Sequence, residues 1–190
     1  MHLERMRDGA RRLVVDERRE RLRTARLWHC KYVDIDALAA CTSLERLVIA
    51  SYPAADLRPI AGLTRLRALR LLHMPKVQDV SPLGSLIELE SLELATLPSW
   101  DASRKRSVVS GLDALGRLPR LRWLQLYGVV SNDRSLAALQ ESSSLRGVRV
   151  SGFPAVEAER YYAHTGVSPT VPPEAGAEHG MPAPFLRGPG

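Results

Sequence analysis

The sequence predicts an α/β solenoid, in which one short unit repeats along the chain and its strands stack into a single curved parallel sheet. Three observations predict this fold class. The pattern L-x-x-L-x-L, with other apolar residues at some leucine positions, recurs six times. Successive patterns start 22, 22, 23, 32 and 24 residues apart, and a period of roughly 20–29 residues is typical of repeats with one strand each. Segments with Asp, Ser and Pro lie between the patterns and mark turns.

The six patterns align at their three apolar positions. They are Leu22/Ala25/Leu27, Leu44/Leu47/Ile49, Leu66/Leu69/Leu71, Leu89/Leu92/Leu94, Leu121/Leu124/Leu126 and Leu145/Val148/Val150. Because side chains alternate across a strand, these positions are predicted to face the core. The long interval of 32 residues places an insertion at residues 98–111.

The segments that return from one strand to the next carry a second pattern. Asp34, Asp56 and Asp79 precede short apolar runs, and Pro59 and Pro82 follow two of them. An acidic side chain at this place accepts hydrogen bonds from free N–H groups, and proline presets φ for a helical turn. One α or 3₁₀ turn is therefore predicted on the convex side of each repeat. The leucines that close these turns are Leu63, Leu86, Leu118 and Leu139.

The 22-residue unit with its Asp-x-x-Pro-Leu return resembles the leucine-rich repeats of the internalin type. The resemblance covers residues 22–150 and implies a binding scaffold. Composition rich in Arg, Ala, Gly and Pro is typical of a high-GC bacterial genome. One feature departs from the internalin pattern, which usually has Asn three residues after the last strand leucine. The residues here are Cys30, Tyr52, Met74, Leu97, Val129 and Phe153. We therefore expect backbone groups or water to satisfy these turns.

The pattern divides the chain into four segments. Residues 1–21 are predicted to cap the N-terminal end, through a strand or hairpin arm at 12–16 or a short helix at 16–23. Residues 22–153 are the repeats, and residues 154–166 form a capping helix that ends at Gly166. Residues 167–190 hold six of the 13 prolines and are expected to be disordered.

Charge and composition narrow the class of protein. The net charge is +6, with 27 Lys and Arg residues that are spread along the chain rather than clustered in one run. Genome composition explains this arginine content better than a nucleic-acid site does. Apolar runs are too short to span a membrane, and the charged start of the chain does not fit a secretory signal. With only Cys30 and Cys41, no disulfide framework is indicated, so we expect a cytoplasmic protein.

No enzyme signature is present in the sequence. It contains no glycine-rich phosphate loop, no G-x-S-x-G elbow and no H-E-x-x-H motif. His29, Cys30 and Cys41 lack the spacing of zinc ligands. We therefore predict a non-enzymatic protein, with no catalytic residues, no cofactor and no metal.

Strand alternation instead predicts a binding surface on the concave face. The candidate partner-binding residues are Arg26, Trp28, Arg46, Arg70, Glu93, Trp123, Gln125, Tyr127 and Arg149. Aromatic residues and arginines are enriched at binding hot spots. The alternative is that the termini or the insertion, with its Trp100 and basic residues 104–106, fold over these aromatic side chains.

The partner predicted by this face is a protein, one with acidic groups being favoured by the arginines. The alternatives are nucleic acid or another anionic surface, and a role as the repeat domain of a larger regulatory protein. A nucleic-acid backbone requires a continuous positive stripe, which the sequence does not predict.

Overall fold

The computed structural model describes residues 1–17, 19–97, 100, 103 and 105–171. The strands within these residues are β1 (His2–Met6), β2 (Thr24–Trp28), β3 (Arg46–Ala50), β4 (Ala68–Leu72), β5 (Ser91–Ala95), β6 (Ser107–Val109), β7 (Trp123–Tyr127), β8 (Val129–Ser131) and β9 (Gly147–Ser151). Seven of them form one parallel sheet in the order β1-β2-β3-β4-β5-β7-β9. Each repeat adds one strand beside the last, so the predicted α/β solenoid is confirmed.

The strand pairs keep the leucine pattern in register. Leu69 pairs with Leu47 on one side and with Leu92 on the other, and Leu92 pairs with Leu124. Leu69, Leu92 and Leu124 are 0%, 1% and 0% exposed. The inward positions of successive strands therefore form one continuous apolar core, and each such leucine contributes about 1.5–3 kcal/mol of transfer free energy.

A single helical turn follows on the convex side of most repeats. The turns are α1 (Arg58–Ala61), α2 (Asp113–Gly116) and 3₁₀ turns at Arg19–Arg21, Asp36–Ala40, Ser81–Ser85 and Ala137–Leu139. The closing leucines Leu63, Leu86, Leu118 and Leu139 are buried. No helix in the described part of the chain is long and apolar enough to cross a bilayer.

Aspartate side chains start these convex turns, as the sequence predicts. Oδ1 of Asp34, Asp56, Asp79 and Asp133 accepts the backbone N–H two residues ahead, at 2.9, 2.8, 2.8 and 3.0 Å. The hydrogen bond from the Arg58 N–H lowers the pKa of Asp56. Each bond satisfies a donor that the first turn of a helix leaves without an intrahelical partner.

The N-terminal strand lies in a different place from the one predicted. Residues 12–16 contain only an isolated bridge from Arg12 to Asp34, and the strand is β1, where Leu3 pairs with Ala25. Leu3 and Leu13 are buried in the same core as the repeats. The first 21 residues therefore add a seventh strand to the main sheet. The leucine pattern does not predict β1, because Arg5 and not a leucine occupies the position that pairs with Leu27.

The insertion contributes a strand to a second, smaller sheet. β6 pairs in parallel with β8, Ser107 lying opposite Val129. The backbone N–H of Ser110 donates to the Gln78 carbonyl at 2.8 Å, which returns the chain to the regular repeat. Residues 98, 99, 101, 102 and 104 lie outside the described residues.

Helix α3 (Ala155–Thr165) covers the C-terminal end of the core. Its Tyr161 is fully buried, and the Tyr162 hydroxyl donates to the Val148 carbonyl at 2.9 Å. Glu157 accepts hydrogen bonds from the Leu136 N–H at 2.7 Å and the Ser135 hydroxyl at 3.0 Å. These bonds, the backbone one first, lower the pKa of Glu157 and tie α3 to the last convex turn.

The chain beyond α3 departs from the predicted disorder over its first residues. Gly166 ends the helix at φ +65°, and Ser168 then forms a parallel bridge with Gly147. The Val148 N–H donates to the Ser168 carbonyl at 2.9 Å. This pairing uses backbone groups, so a Pro-rich composition does not reveal it. The predicted disorder of residues 172–190 lies outside the described residues.

Candidate binding face

Each strand of the main sheet turns three side chains away from the core, and the in-register pairing aligns them in three rows. The first row is His2, Thr24, Arg46, Ala68, Ser91, Trp123 and Gly147. The middle row is Glu4, Arg26, Val48, Arg70, Glu93, Gln125 and Arg149. The last row is Met6, Trp28, Ala50, Leu72, Ala95, Tyr127 and Ser151. All nine predicted candidate residues lie in these rows, and Trp123, Gln125 and Tyr127 share strand β7.

Ion pairs between neighbouring strands occupy the middle row. The Arg26 guanidinium lies 2.9 Å from a Glu4 carboxylate oxygen, and Arg70 Nε lies 2.6 Å from Glu93 Oε2. The Arg70 and Glu93 side chains are only 22% and 15% exposed. Because each pair joins opposite charges and Val48 and Gln125 are uncharged, the row contains both signs and does not form a continuous positive stripe.

Arginines stack on two aromatic rings at opposite ends of the face. The Arg26 Cζ atom lies 4.6 Å from the Trp28 ring centroid, and the Arg149 Cζ atom lies 5.2 Å from that of Tyr127. Such contacts contribute about 0.5–1 kcal/mol at exposed sites. They hold both rings in place while leaving them partly accessible to solvent.

The last row is apolar along most of its length. Met6 is 55% exposed at one end, while Ala50 and Ala95 are 4% and 7% exposed. Ala50 lies between Trp28 and Leu72 on the adjacent strands, so these larger side chains shade it. Register alone did not predict this burial. The last row is therefore an apolar strip, with Trp28 near one end and Tyr127 near the other.

Trp123 has a structural role as well as a place in the first row. A Cβ atom built on Gly147 would lie 2.8 Å from Trp123 Cε3 and 2.3 Å from the Thr170 carbonyl oxygen. The indole ring therefore covers Gly147, and the chain after α3 reaches the concave side beside it. The segment after α3 therefore lies close to Trp123, which remains partly exposed.

A row of left-handed residues borders the face, one position after most strands. These residues are Arg7 (φ 50°), His29 (52°), Ser51 (70°), His73 (67°), Gly128 (63°) and Gly152 (91°). His29 Nδ1 and Ser51 Oγ are 3.4 Å apart. The sequence does not predict this rim, because the positions that follow the strands hold residues of several types: Arg, His, Ser and Gly.

His73 in this rim is half-buried. Its Nδ1 atom is buried, and no group in the described residues hydrogen-bonds to it. The Trp100 ring lies edge-on to the imidazole, with the centroids 5.0 Å apart. Burial, followed by the nearby His29, lowers the pKa of His73.

The insertion follows this rim. Trp100 contacts His73 after β4, and Lys105 Nζ lies 5.9 Å from the Trp100 ring centroid. Farther along, the Arg106 side chain lies against Gly152, where a Cβ atom would be 2.5 Å from its Nε. The described part of the insertion therefore lies beside the last row rather than over Trp123.

Core side chains fill the turns where internalin-type repeats usually carry Asn. The Tyr52 hydroxyl donates to the Asp56 carbonyl at 2.6 Å, and Cys30 Sγ lies 3.4 Å from the Arg5 carbonyl. Met74 and Val129 are fully buried. Side-chain hydrogen bonds thus serve two of these turns, in addition to the backbone groups that the sequence predicted.

Among the described residues, no three His, Cys, Asp or Glu side chains are placed to hold a metal ion. Cys30 is half-buried and Cys41 is buried, and both are free thiols. Burial raises the pKa of Cys41, which favours its uncharged, unreactive form.

Comparison with solved structures places the fold among the leucine-rich repeat proteins. The chain is similar to internalin C2 of Listeria monocytogenes, with 24% identity and a TM-score of 0.51 over 68% of this chain and 52% of that chain. It therefore spans about half the length of that protein. A second Listeria monocytogenes internalin, inlF, aligns with 23% identity and a TM-score of 0.39 over 66% of this chain and 41% of that chain.

No protein-family model matches the sequence, and no curated protein is significantly similar to it. The structural likeness and the seven-stranded parallel sheet define the class. The chain has the leucine-rich repeat fold of the internalin type.

Proposed function

We propose that this chain binds a partner protein through the three rows of its concave face. The observation that carries the proposal is the pair of rings, Trp28 and Tyr127, which belong to the apolar last row and on which Arg26 and Arg149 stack. A few residues supply most of the binding energy at a protein interface, and tryptophan, tyrosine and arginine are enriched among them. A rigid sheet also presents them without the entropy cost of ordering a loop.

The charges of the face favour a polypeptide partner over nucleic acid. Four arginines (Arg26, Arg46, Arg70 and Arg149) and two glutamates (Glu4 and Glu93) lie in the rows. Two of the arginines, Arg26 and Arg70, form ion pairs with these glutamates, so part of the positive charge of the face is neutralised within the rows. A protein with acidic groups set among apolar side chains matches this arrangement better than a uniform phosphate backbone.

The module is proposed to act without catalysis and in the cytoplasm. Its two cysteines are free, which suits a reducing compartment. Because the chain spans half of internalin C2, a role as the repeat domain of a larger regulatory protein is part of the same proposal.

Affinity capture with a matched pair of variants tests this function. The Trp28→Ala/Tyr127→Ala variant removes both rings from the face, while Val33→Ala/Ile87→Ala removes two exposed side chains outside the rows. A protein captured from the source cells by the wild type and the control, but not by the face variant, supports the proposal. Equal capture by all three chains would contradict it.

Salt and nuclease distinguish the two classes of partner. A bound protein should survive nuclease treatment and a modest rise in salt. If binding disappears on nuclease treatment and falls steeply with salt, the partner is a nucleic acid, because phosphate contacts release counterions.

A further inference from the structure

A charge ladder runs along the flank of the main sheet where its strands begin. Each member directly precedes a strand, and the backbone N–H of each later member donates to the carbonyl of the one before it at 2.8 or 2.9 Å. The members are Arg23, Glu45, Arg67, Glu90, Arg122 and Arg146. Because the backbone bonds place consecutive members side by side on strands about 4.8 Å apart, the charge of each member acts directly on its neighbours.

The charges alternate in sign over the first four members of the ladder. Arg23 Nη1 lies 2.8 Å from Glu45 Oε1, and Arg67 Nη1 lies 3.8 Å from Glu90 Oε1. Each of these arginines therefore has a carboxylate beside it on the next strand. The alternation ends after Glu90, because the last two members are both arginines.

Arg122 and Arg146 are thus two like charges on adjacent strands. Neither forms an ion pair with a carboxylate among the residues that the structure describes. The next position beyond Arg146 holds Ser168, whose N–H donates to the Arg146 carbonyl at 3.2 Å, so a hydroxyl and not a carboxylate follows on that side. Two positive charges at this separation repel each other. A bound carboxylate would remove the repulsion, which favours binding at this pair.

The two arginines are accessible to a ligand, and one of them is held in place. Both are exposed. Arg146 Nη1 donates to the Ser143 and Leu145 carbonyls at 3.2 and 3.3 Å, which restricts the side chain. A guanidinium group has five N–H donors, so others remain for a ligand. Trp123 and Gly147 directly follow the two arginines, so the pair lies at the border of the first row of the concave face.

We propose that Arg122 and Arg146 form a carboxylate-binding site, which takes an acidic side chain of the protein that binds the concave face. The ladder itself indicates this ligand, because a glutamate carboxylate lies beside each of its first two arginines, and the guanidinium fork matches a carboxylate. The inference deepens the proposed function and rests on it for the identity of the partner. Charges at the border of an interface mainly set the orientation of the partner and the rate of its association.

An NMR titration of the isotopically labelled full chain tests the site. The probe is a blocked peptide of six glutamates, and the matched control is the same peptide made of glutamines. We expect saturable shifts of the amide and Nε resonances of Arg122 and Arg146 with the glutamate peptide only. Unchanged resonances at these two residues, or equal shifts with the glutamine peptide, would overturn the proposal. Inorganic phosphate that binds the pair more tightly than the glutamate peptide would also overturn it.

Charge-reversal variants distinguish this site from the overall charge of the protein. Arg146→Glu restores the alternation beside Arg122, so it should weaken binding of the glutamate peptide at least several-fold without lowering the melting temperature. Arg65→Glu changes the net charge equally at an exposed residue outside the ladder and should bind the peptide like the wild type. Equal loss of binding in both variants would show that net charge alone attracts the peptide, and the site would be rejected.

The carboxylate site and the proposed function can fail separately. Peptide binding at Arg122 and Arg146, without a protein captured through Trp28 and Tyr127, supports the site and contradicts the binding function. Capture that requires Trp28 and Tyr127, with no effect of the peptide on Arg122 and Arg146, contradicts the site and leaves only the binding function.

Discussion

At the scale of single residues, Gly147 and His73 are both constrained by segments that pack against them. Gly147 has no space for a Cβ atom, because the Thr170 carbonyl would lie 2.3 Å away. His73 has a buried Nδ1 atom without a hydrogen-bond partner in the described residues. Sequence patterns identified neither position, since both constraints come from segments distant in the chain: residues 168–170 and the insertion.

Replacing Gly147 should therefore destabilise the protein. Gly147→Ala would force apart Trp123 and the segment at Thr170, and overpacking of this kind costs about 1–3 kcal/mol. Gly62→Ala is the matched control, because nothing lies within 4 Å of its Cβ position. Thermal unfolding should show a lower melting temperature for the first variant only. Equal melting temperatures would mean that the segment does not pack on β9.

His73 should make stability depend on pH. Its pKa in the folded protein is lowered from 6.5 by burial, so the unfolded chain binds more protons as the pH falls. Stability is therefore complete above about pH 6.5 and decreases below it, down to the folded pKa. Denaturant unfolding between pH 7.5 and pH 5 should show this decrease, and His73→Asn should reduce it. A variant with the same pH profile as the wild type would exclude His73 as its source.

At the scale of elements, the sequence predicts strands well where leucines face inward and poorly where the backbone alone makes the pairing. β2 to β5, β7 and β9 all lie on the predicted pattern. β1 was missed because Arg5 replaces a core leucine, and the pairing of Ser168 was missed because it depends on main-chain hydrogen bonds. Apolar periodicity reports burial of side chains, so it cannot detect edges that are held by backbone groups.

The register predicts equal sensitivity at equivalent positions of successive strands. Leu69→Ala, Leu92→Ala and Leu124→Ala each remove a side chain that is at most 1% exposed, and each should cost about 2–5 kcal/mol. Arg46→Ala, on the opposite face of the sheet, is the control and should change stability little. Chemical denaturation gives these values. A leucine variant as stable as the wild type would contradict the alignment of that repeat.

At the scale of the whole molecule, the solenoid is closed differently at its two ends. Helix α3 and the segment after it cover the C-terminal end, with Tyr161 fully buried and Glu157 bonded to the Leu136 N–H. At the other end, β1 forms the edge of the main sheet. An open strand edge is a site where further chain can pair.

Strand geometry determines how much of the candidate site could be predicted from the sequence. Strand alternation alone places all nine candidate residues in the rows, because the period of two leaves no choice of face. It does not predict that Arg70 pairs with Glu93, that Ala50 is shaded, or that Trp123 covers Gly147. Those depend on side-chain length and on where distant segments return, neither of which periodicity reports.

The most direct test of the binding face is hydroxyl-radical footprinting of the chain with and without its captured partner. Met6, Trp28 and Tyr127 lie in the last row, while Phe153 and Tyr162 lie outside the rows. We predict that partner binding lowers the oxidation rates of Met6, Trp28 and Tyr127 several-fold and leaves those of Phe153 and Tyr162 unchanged. Protection of Phe153 and Tyr162, with Met6, Trp28 and Tyr127 oxidised as fast as in the free chain, would contradict the account.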